Sequence, residues 1–346
     1  MTKFRLTLPL LVCLAGADSV LAIAGLDVPP PPSPPHAITF TQPKEVTLEN
    51  GLRVIVAERP GLPLVSAYVV IRHGAEVDPE NLAGVANLTG SLLTKGTEKM
   101  SAPQIANAIE SLGGSISSAA AWDSSSAAVT VMSDQVDRAL SILADVVLHP
   151  SFQQEEIDRL KLQRLDGIRV ALQQPASLAA YVTSRVVFGS TEYGHPSGGT
   201  IETLQAITRE QIVKLYRSYY TPANATLIFS GNITLEEGKA FAQRFFGEWK
   251  GDPATAATAK RQLADWKPAN VVIDMPQAGQ ASVTVAKPAI KRDSPDYYAG
   301  LVANAALGNG FVSRLNREIR IKRGLSYGAR SSLETRRDVG PFAASA

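Results

Sequence analysis

The sequence predicts an α+β fold: a two-layer sandwich of helices and antiparallel sheet, repeated as a second copy that is incomplete. Three observations predict it. Short runs rich in Val and Ile, bounded by turn residues, lie near both ends of the first 250 residues. Between them, apolar residues recur at helical spacing. The strand signals then return at 271–274 and 280–286. The order strand, strand, helices, strand, helix fits helices packed on one face of a mostly antiparallel sheet. At 346 residues and 45% hydrophobic content, the chain can bury two ordinary cores.

Lys3 and Arg5 precede an apolar run at 6–17, and Val20-Leu21-Ala22 forms a small-residue cleavage pattern. Residues 1–24 therefore read as a secretory signal peptide, too short in its apolar part to span a membrane. Residues 25–44 contain Pro29, Pro30, Pro31, Pro32, Pro34 and Pro35, a stiff extended linker. The first domain is placed at 45–250. A linker of Ala, Thr and Gly follows at 251–267, and a second, incomplete domain at 268–346.

Strands are expected at 51–58 and 64–72, split by Pro60-Gly61. Val85, Leu88, Leu92 and Leu93 place a helix within 82–97. Ser101-Ala-Pro-Gln104 is a capping box with proline in the first turn, and its helix runs to Gly113-Gly114. Residues 115–132 alternate as strands. Helices follow at 134–148 and 153–174, the second stopped by Pro175, with Leu165, Ile168 and Leu172 as its buried stripe. Residues 200–220 are expected to be helical, 225–229 a buried strand and 235–246 a helix. In the second domain, helices are expected near 295–307 and 312–322, then a strand from Leu325 and a strand-like run at 340–344.

Net charge is +2 with scattered Lys and Arg, which gives no nucleic-acid footprint. The one cysteine, Cys13, lies in the leader, so the mature chain has neither disulfide nor cysteine metal site. Asn87, Asn224 and Asn232 each begin an N-x-S/T sequon, a pattern that arises by chance. His36, His73, His149 and His195 include no helix-neighbour pair, so none is expected to hold metal. His195 is expected to bond backbone in its loop. Gly308-Asn-Gly310 reads from its residues as a tight turn between helices, since a lone G-x-G is weak evidence of a phosphate cradle.

Four stretches, 50–87, 94–126, 193–233 and 301–332, together resemble the insulinase/pitrilysin/mitochondrial processing peptidase family, in order and from about residue 45 onward. In that family, a helix ending in F-K-G-T carries H-x-x-E-H. Its two histidines grip one zinc, and the glutamate between them deprotonates the metal-bound water. Here the run closes on Lys95-Gly96-Thr97, and the His, Glu and His slots hold Asn87, Gly90 and Ser91. The slot for the remaining glutamate ligand holds Gly167, and a second acidic position holds Leu160. Asp166 adjoins the ligand slot, but one step along a helix turns a side chain about 100° away. The resemblance therefore implies a degenerate zinc site and no metal in this chain.

The family's second domain carries an arginine and a tyrosine seven apart that reach toward the substrate backbone. Arg320 and Tyr327 keep that spacing, Arg320 on the last turn of a helix that Gly324 ends and Tyr327 on the next strand. A guanidinium can grip a carbonyl or carboxylate, and a phenol can donate to a developing oxyanion. Without the resemblance, the pair reads as an exposed helix-end arginine and an ordinary strand tyrosine.

The resemblance implies a non-catalytic partner subunit of a zinc metallopeptidase. In such a heterodimer, zinc resides only in a homologous H-x-x-E-H subunit, and Arg320 and Tyr327 bind the peptide substrate. The alternative is a zinc-free peptide-binding or structural assembly subunit. Neither reading calls for nucleic acid or a transmembrane helix. The leader at 1–24 places the chain outside the cytoplasm, in the periplasm or beyond, with membrane association left open.

Overall fold

In β1 (Lys44–Thr47) and β2 (Arg53–Glu58) the chain doubles back through Asn50-Gly51, where Gly51 takes φ +87°. Asn50 Nδ2 donates to the Phe246 carbonyl at 2.8 Å, which ties this hairpin to the end of a helix far along the chain. The computed structural model describes residues 33–34, 42–251 and 266–346. The leader at 1–24, most of the proline-rich linker and most of the 251–267 linker lie outside the described residues. Lys44, assigned to the linker by its composition, is the first residue of β1 and pairs with Val56.

The first sheet has six strands in the order β1-β2-β6-β3-β5-β4. The remaining four are β3 (Leu64–Ile71), β4 (Ser115–Ala120), β5 (Ser125–Met132) and β6 (Ala225–Gly231). All neighbouring pairs are antiparallel except β2 with β6, which run parallel. Val65, Ala67, Val69 and Ile71 alternate inward along β3, and Ala127, Val129 and Val131 along β5. That period of two gives the sheet one apolar face, against which the helices close the core.

Those helices are α1 (Val85–Leu92), α2 (Ala102–Glu110), α3 (Val136–Leu148), α4 (Gln154–Leu172), α5 (Pro175–Phe188), α6 (Ile201–Ala206), α7 (Arg209–Tyr219) and α8 (Leu235–Phe246). Two differ from the sequence-based expectation. Pro175 lies just past the end of α4, as expected, but it also opens a helix that was not expected, α5, from the first-turn position, where its missing N–H costs nothing. The stretch 200–220 is two helices, because Thr208 and Gln211 cap a second start, with Thr208 N–H donating to Gln211 Oε1 at 2.7 Å.

The second sheet has three antiparallel strands in the order β7-β9-β8, namely β7 (Thr284–Pro288), β8 (Arg330–Leu333) and β9 (Pro341–Ser345). Residues 271–274, expected as a strand, are irregular, and Val272 is 92% exposed. A Val/Ile run becomes a strand only where a neighbouring edge pairs it, and none of the described strands does. Helix α9 (Tyr297–Leu307) stands where expected. The helix expected at 312–322 is a single α-turn, α10 (Arg314–Asn316), continued by a π-helix over Arg317–Ile321. Gly324 at φ +62° ends it, and Leu325 begins an irregular stretch, so the next strand starts at Arg330.

Candidate functional site

Helix α1 is held from its first turn. Gly84 at φ +96° precedes it, and a Cβ there would lie 2.8 Å from the Gly198 carbonyl oxygen. The buried Asp78 carboxyl accepts from Gly84 N–H at 2.7 Å and Ala86 N–H at 2.9 Å, serving donors that a helix start leaves unpaired. Burial pushes this carboxyl up to about 8; the bonds from Ala86 and Gly84 oppose the shift, and the neighbouring Glu76 adds to it.

A folded-state value above the ordinary 3.8 means that the folded chain holds this proton more tightly than the unfolded chain does. The contribution is complete below pH about 4 and is lost as pH rises to about 8. The stability advantage of the wild type over Asp78→Asn should therefore shrink across that interval. Urea denaturation of both proteins at the two ends of the range measures it. A constant difference would show that Asp78 does not titrate there.

Along α1, Asn87 is half-buried and its Nδ2 donates to the Ala120 carbonyl at 3.3 Å. Gly90 is buried against β4: a Cβ at this position would lie 2.8 Å from Ala119 C and from Ala120 N. Ser91 Oγ accepts from Arg164 Nη2 on α4 at 3.1 Å. Further along α4, Gly167 is exposed, and a Cβ placed there would meet nothing within 4 Å. Leu160 is in the core, and Asp166 pairs outward with Arg169 at 2.7 Å. The structure thus brings Asn87, Gly90 and Ser91 into one seam between α1, β4 and α4, while Gly167 on α4 is exposed and has no side chain to reach it.

These residues do not fit a zinc ion. Zinc takes imidazole, thiolate or carboxylate donors, and the seam offers an amide, a hydroxyl and a glycine packed on backbone. Among the described residues, no three His, Cys, Asp or Glu side chains converge as a ligand set. His195 Nδ1 lies 3.1 Å from the Pro196 carbonyl, and burial lowers its pKa below the ordinary imidazole value. Ser331 N–H donates to the Gly308 carbonyl at 3.0 Å, which makes Gly308-Asn-Gly310 part of a turn folded onto β8.

Two features of the seam escape sequence reading. The close approach of Gly90 to β4 has no signature beyond a glycine in a helix. Arg164 reaches α1 from 73 residues away. The side of the seam away from the helices is β4, an edge strand of small residues, Ser-Ile-Ser-Ser-Ala-Ala. An edge strand presents unpaired backbone groups that an extended peptide can pair with.

Arg320 and Tyr327 lie in the second half. Arg320 lies in the last turn of the π-helix, half-buried, with its guanidinium carbon 4.7 Å from the centre of the Phe311 ring. Tyr327 is 89% exposed. It lies in the irregular stretch before β8 and not on a strand as expected, because pairing with β9 begins only at Arg330. Its phenol is open to a second molecule.

Family models match in two blocks. Residues 53–195 match Insulinase (Peptidase family M16), and residues 206–346 match the Peptidase M16 inactive domain. The crystal structure of a peptidase M16 inactive domain from Pseudomonas fluorescens superposes with a TM-score of 0.82 at 30% identity, covering 88% of this chain and 74% of that one. The chain belongs to the insulinase family.

Among its insulinase-family relatives is a protein named uncharacterized zinc protease from Streptomyces coelicolor, 28% identical over 86% of this chain and 66% of the relative. The chain thus spans about two thirds of the length of such relatives. The periplasmic protease PqqL from Escherichia coli shares the fold, with a TM-score of 0.67 at 16% identity, over 90% of this chain and 36% of PqqL. Among the described residues, no helix is long and apolar enough to cross a membrane.

Proposed function

We propose that this chain is a non-catalytic insulinase-family homologue that works as the partner subunit of a zinc metallopeptidase. The zinc belongs to a homologous chain with an intact H-x-x-E-H motif. This chain binds none, and it lends Arg320 and Tyr327 to the peptide substrate. One observation carries the reading: the seam at Asn87, Gly90 and Ser91 is filled by hydrogen bonds and backbone packing where a peptidase needs metal donors. The exposed Tyr327 and the open edge of β4 support a role in holding peptide, since each offers polar groups to an extended chain. The charged and apolar pattern of the leader supports export, with the periplasm as the working compartment.

The test pairs the full-length protein with a homologue from the same source that carries H-x-x-E-H. Alone, this chain should hold no stoichiometric zinc and cleave no peptide. The pair should cleave faster than the homologue alone. One tightly held zinc per chain, or peptidase activity without the partner, would overturn the proposal. Peptide binding by this chain with no gain in cleavage by the pair would instead support a zinc-free holding or assembly subunit.

A further inference from the structure

Two adjacent arginines join residues 334–338 to the first half of the fold, and they do so by different means. Arg337 uses hydrogen bonds and charge. Its backbone N–H donates to Asp123 Oδ2 at 2.8 Å, and Nη2 donates to the carbonyls of Asp123, at 2.7 Å, and of Arg72. Its Nη1 lies 3.3 Å from Glu76 Oε1.

Arg336 is buried, at 5% exposure, and is surrounded by rings. Its guanidinium carbon lies 4.1 Å from the ring centre of Trp122, 4.7 Å from that of Tyr193 and 4.9 Å from that of Phe188. The nearest carboxylate oxygen, on Glu334, is 3.7 Å from Nη2, beyond hydrogen-bond range. Nε and Nη1 have no hydrogen-bond acceptor among the described residues. A buried charge held by so few acceptors is not an ordinary salt bridge. Three aromatic faces account for it, since a planar, weakly hydrated cation is attracted to each of them.

The walls come from separate parts of the chain and brace one another. Trp122 lies in the turn between β4 and β5, Phe188 ends α5, and Tyr193 lies in the loop beyond it. Trp122 and Tyr193 meet edge-on at 5.6 Å and 87°, and Phe188 and Tyr193 meet at 5.8 Å and 69°. Tyr193 Oη donates to Asp123 Oδ1 at 2.5 Å, which fixes that ring independently of Arg336. The cage is therefore built by the first half of the fold, and only its occupant comes from the second.

We propose that Trp122, Phe188 and Tyr193 form a guanidinium-binding cage whose resident ligand is Arg336, so that filling the cage and fastening residues 334–338 to the first half are one event. A cage of this chemistry is selective for a flat cation. It takes an arginine side chain, whereas a lysine ammonium leaves the rings unmatched. Emptied of Arg336, it accepts the same group from a free molecule.

The experiment uses the full chain with amide hydrogen exchange as readout. Arg336→Ala should speed exchange at residues 334–338 by about tenfold or more, the loss expected of a desolvated cation–π site. In that variant, N-acetylarginine amide at tens of millimolar should slow exchange at the cage residues 188–195 relative to the variant without it, and N-acetyllysine amide should not. Arg336→Met, which keeps the bulk without the charge, should exchange as fast as the alanine variant, and Arg336→Lys should fall between. Equal protection in Arg336→Met and the wild type would reduce the contact to apolar packing and overturn the proposal, as would an alanine variant indifferent to N-acetylarginine amide. If the alanine variant fails to fold by circular dichroism, the comparison of methionine with lysine decides alone.

Discussion

Replacing Tyr327 by phenylalanine is expected to lower peptide turnover by the reconstituted pair on the order of 100-fold, the usual loss when one donor to a developing oxyanion is removed. The substitution deletes one hydroxyl from a side chain that is 89% exposed, so folding should be unaffected. Arg320→Ala is expected to weaken substrate capture as well as turnover, because a guanidinium fork positions a peptide backbone before it reacts. Its ring partner Phe311 is itself exposed, so the loss of that contact should cost little stability. Both effects should appear only in the presence of the zinc-bearing partner. Wild-type rates in both variants with an active partner would remove the shared-site mechanism and leave a scaffold.

The second large effect concerns Gly90. Helix propensity alone favours Gly90→Ala by about 1 kcal/mol. Packing opposes it. A Cβ would sit 2.8 Å from Ala119 C and Ala120 N, and strand backbone cannot swing aside as a flexible side chain can. Overpacking of this kind costs about 1–3 kcal/mol, so the net effect of alanine should be destabilising. Gly90→Glu adds a carboxyl to the same crowded seam and should cost about 3 kcal/mol or more. The midpoint of urea unfolding measures both. Alanine that stabilises the chain would mean that α1 and β4 are not in close contact. For the same reason, restoring His, Glu and His at 87, 90 and 91 should not create a full zinc site: α1 must first move off β4, and Gly167 still supplies no ligand.

The layers of the first half are legible in the sequence because burial imposes period two on β3 and β5 and helical spacing on α1 to α4. Capping chemistry is legible where one box stands alone, as at Ser101, and is hidden where Thr208 restarts a helix inside an apparently continuous run. Pro175 shows the limit of a local rule, since the residue that stops one helix also starts the next. In the second half, Val271, Val272 and Ile273 have strand composition without a partner strand, and pairing is not encoded locally. The slot residues Asn87, Gly90 and Ser91 can be found by counting from Gly96, but Arg164 and Ala120, which complete the seam, are distant in sequence. The arginine cage is illegible for the same reason: its three rings and its ligand come from three separate segments, around 122, 188–193 and 336.

The parallel pairing of β2 with β6 sets a timetable for synthesis. Arg53 pairs with Thr226 and Val65 with Gly231, so the strand that lies between β2 and β3 is the last of the six to be made. At about 5–20 residues per second, the ribosome needs on the order of ten seconds or more to travel from β3 to β6. Until then, the nascent chain can form the β1–β2 hairpin and the β3–β5–β4 ribbon only as separate pieces. Each has an unpaired edge and an uncovered row of valines. Loop closure over such a span is slow, and open edges of this kind invite pairing with other chains. In chains synthesised without residues 1–24, so that folding is not deferred by export, holdase binding to ribosome-stalled lengths should therefore be strongest for those ending before residue 225 and should fall once Gly231 has cleared the exit tunnel.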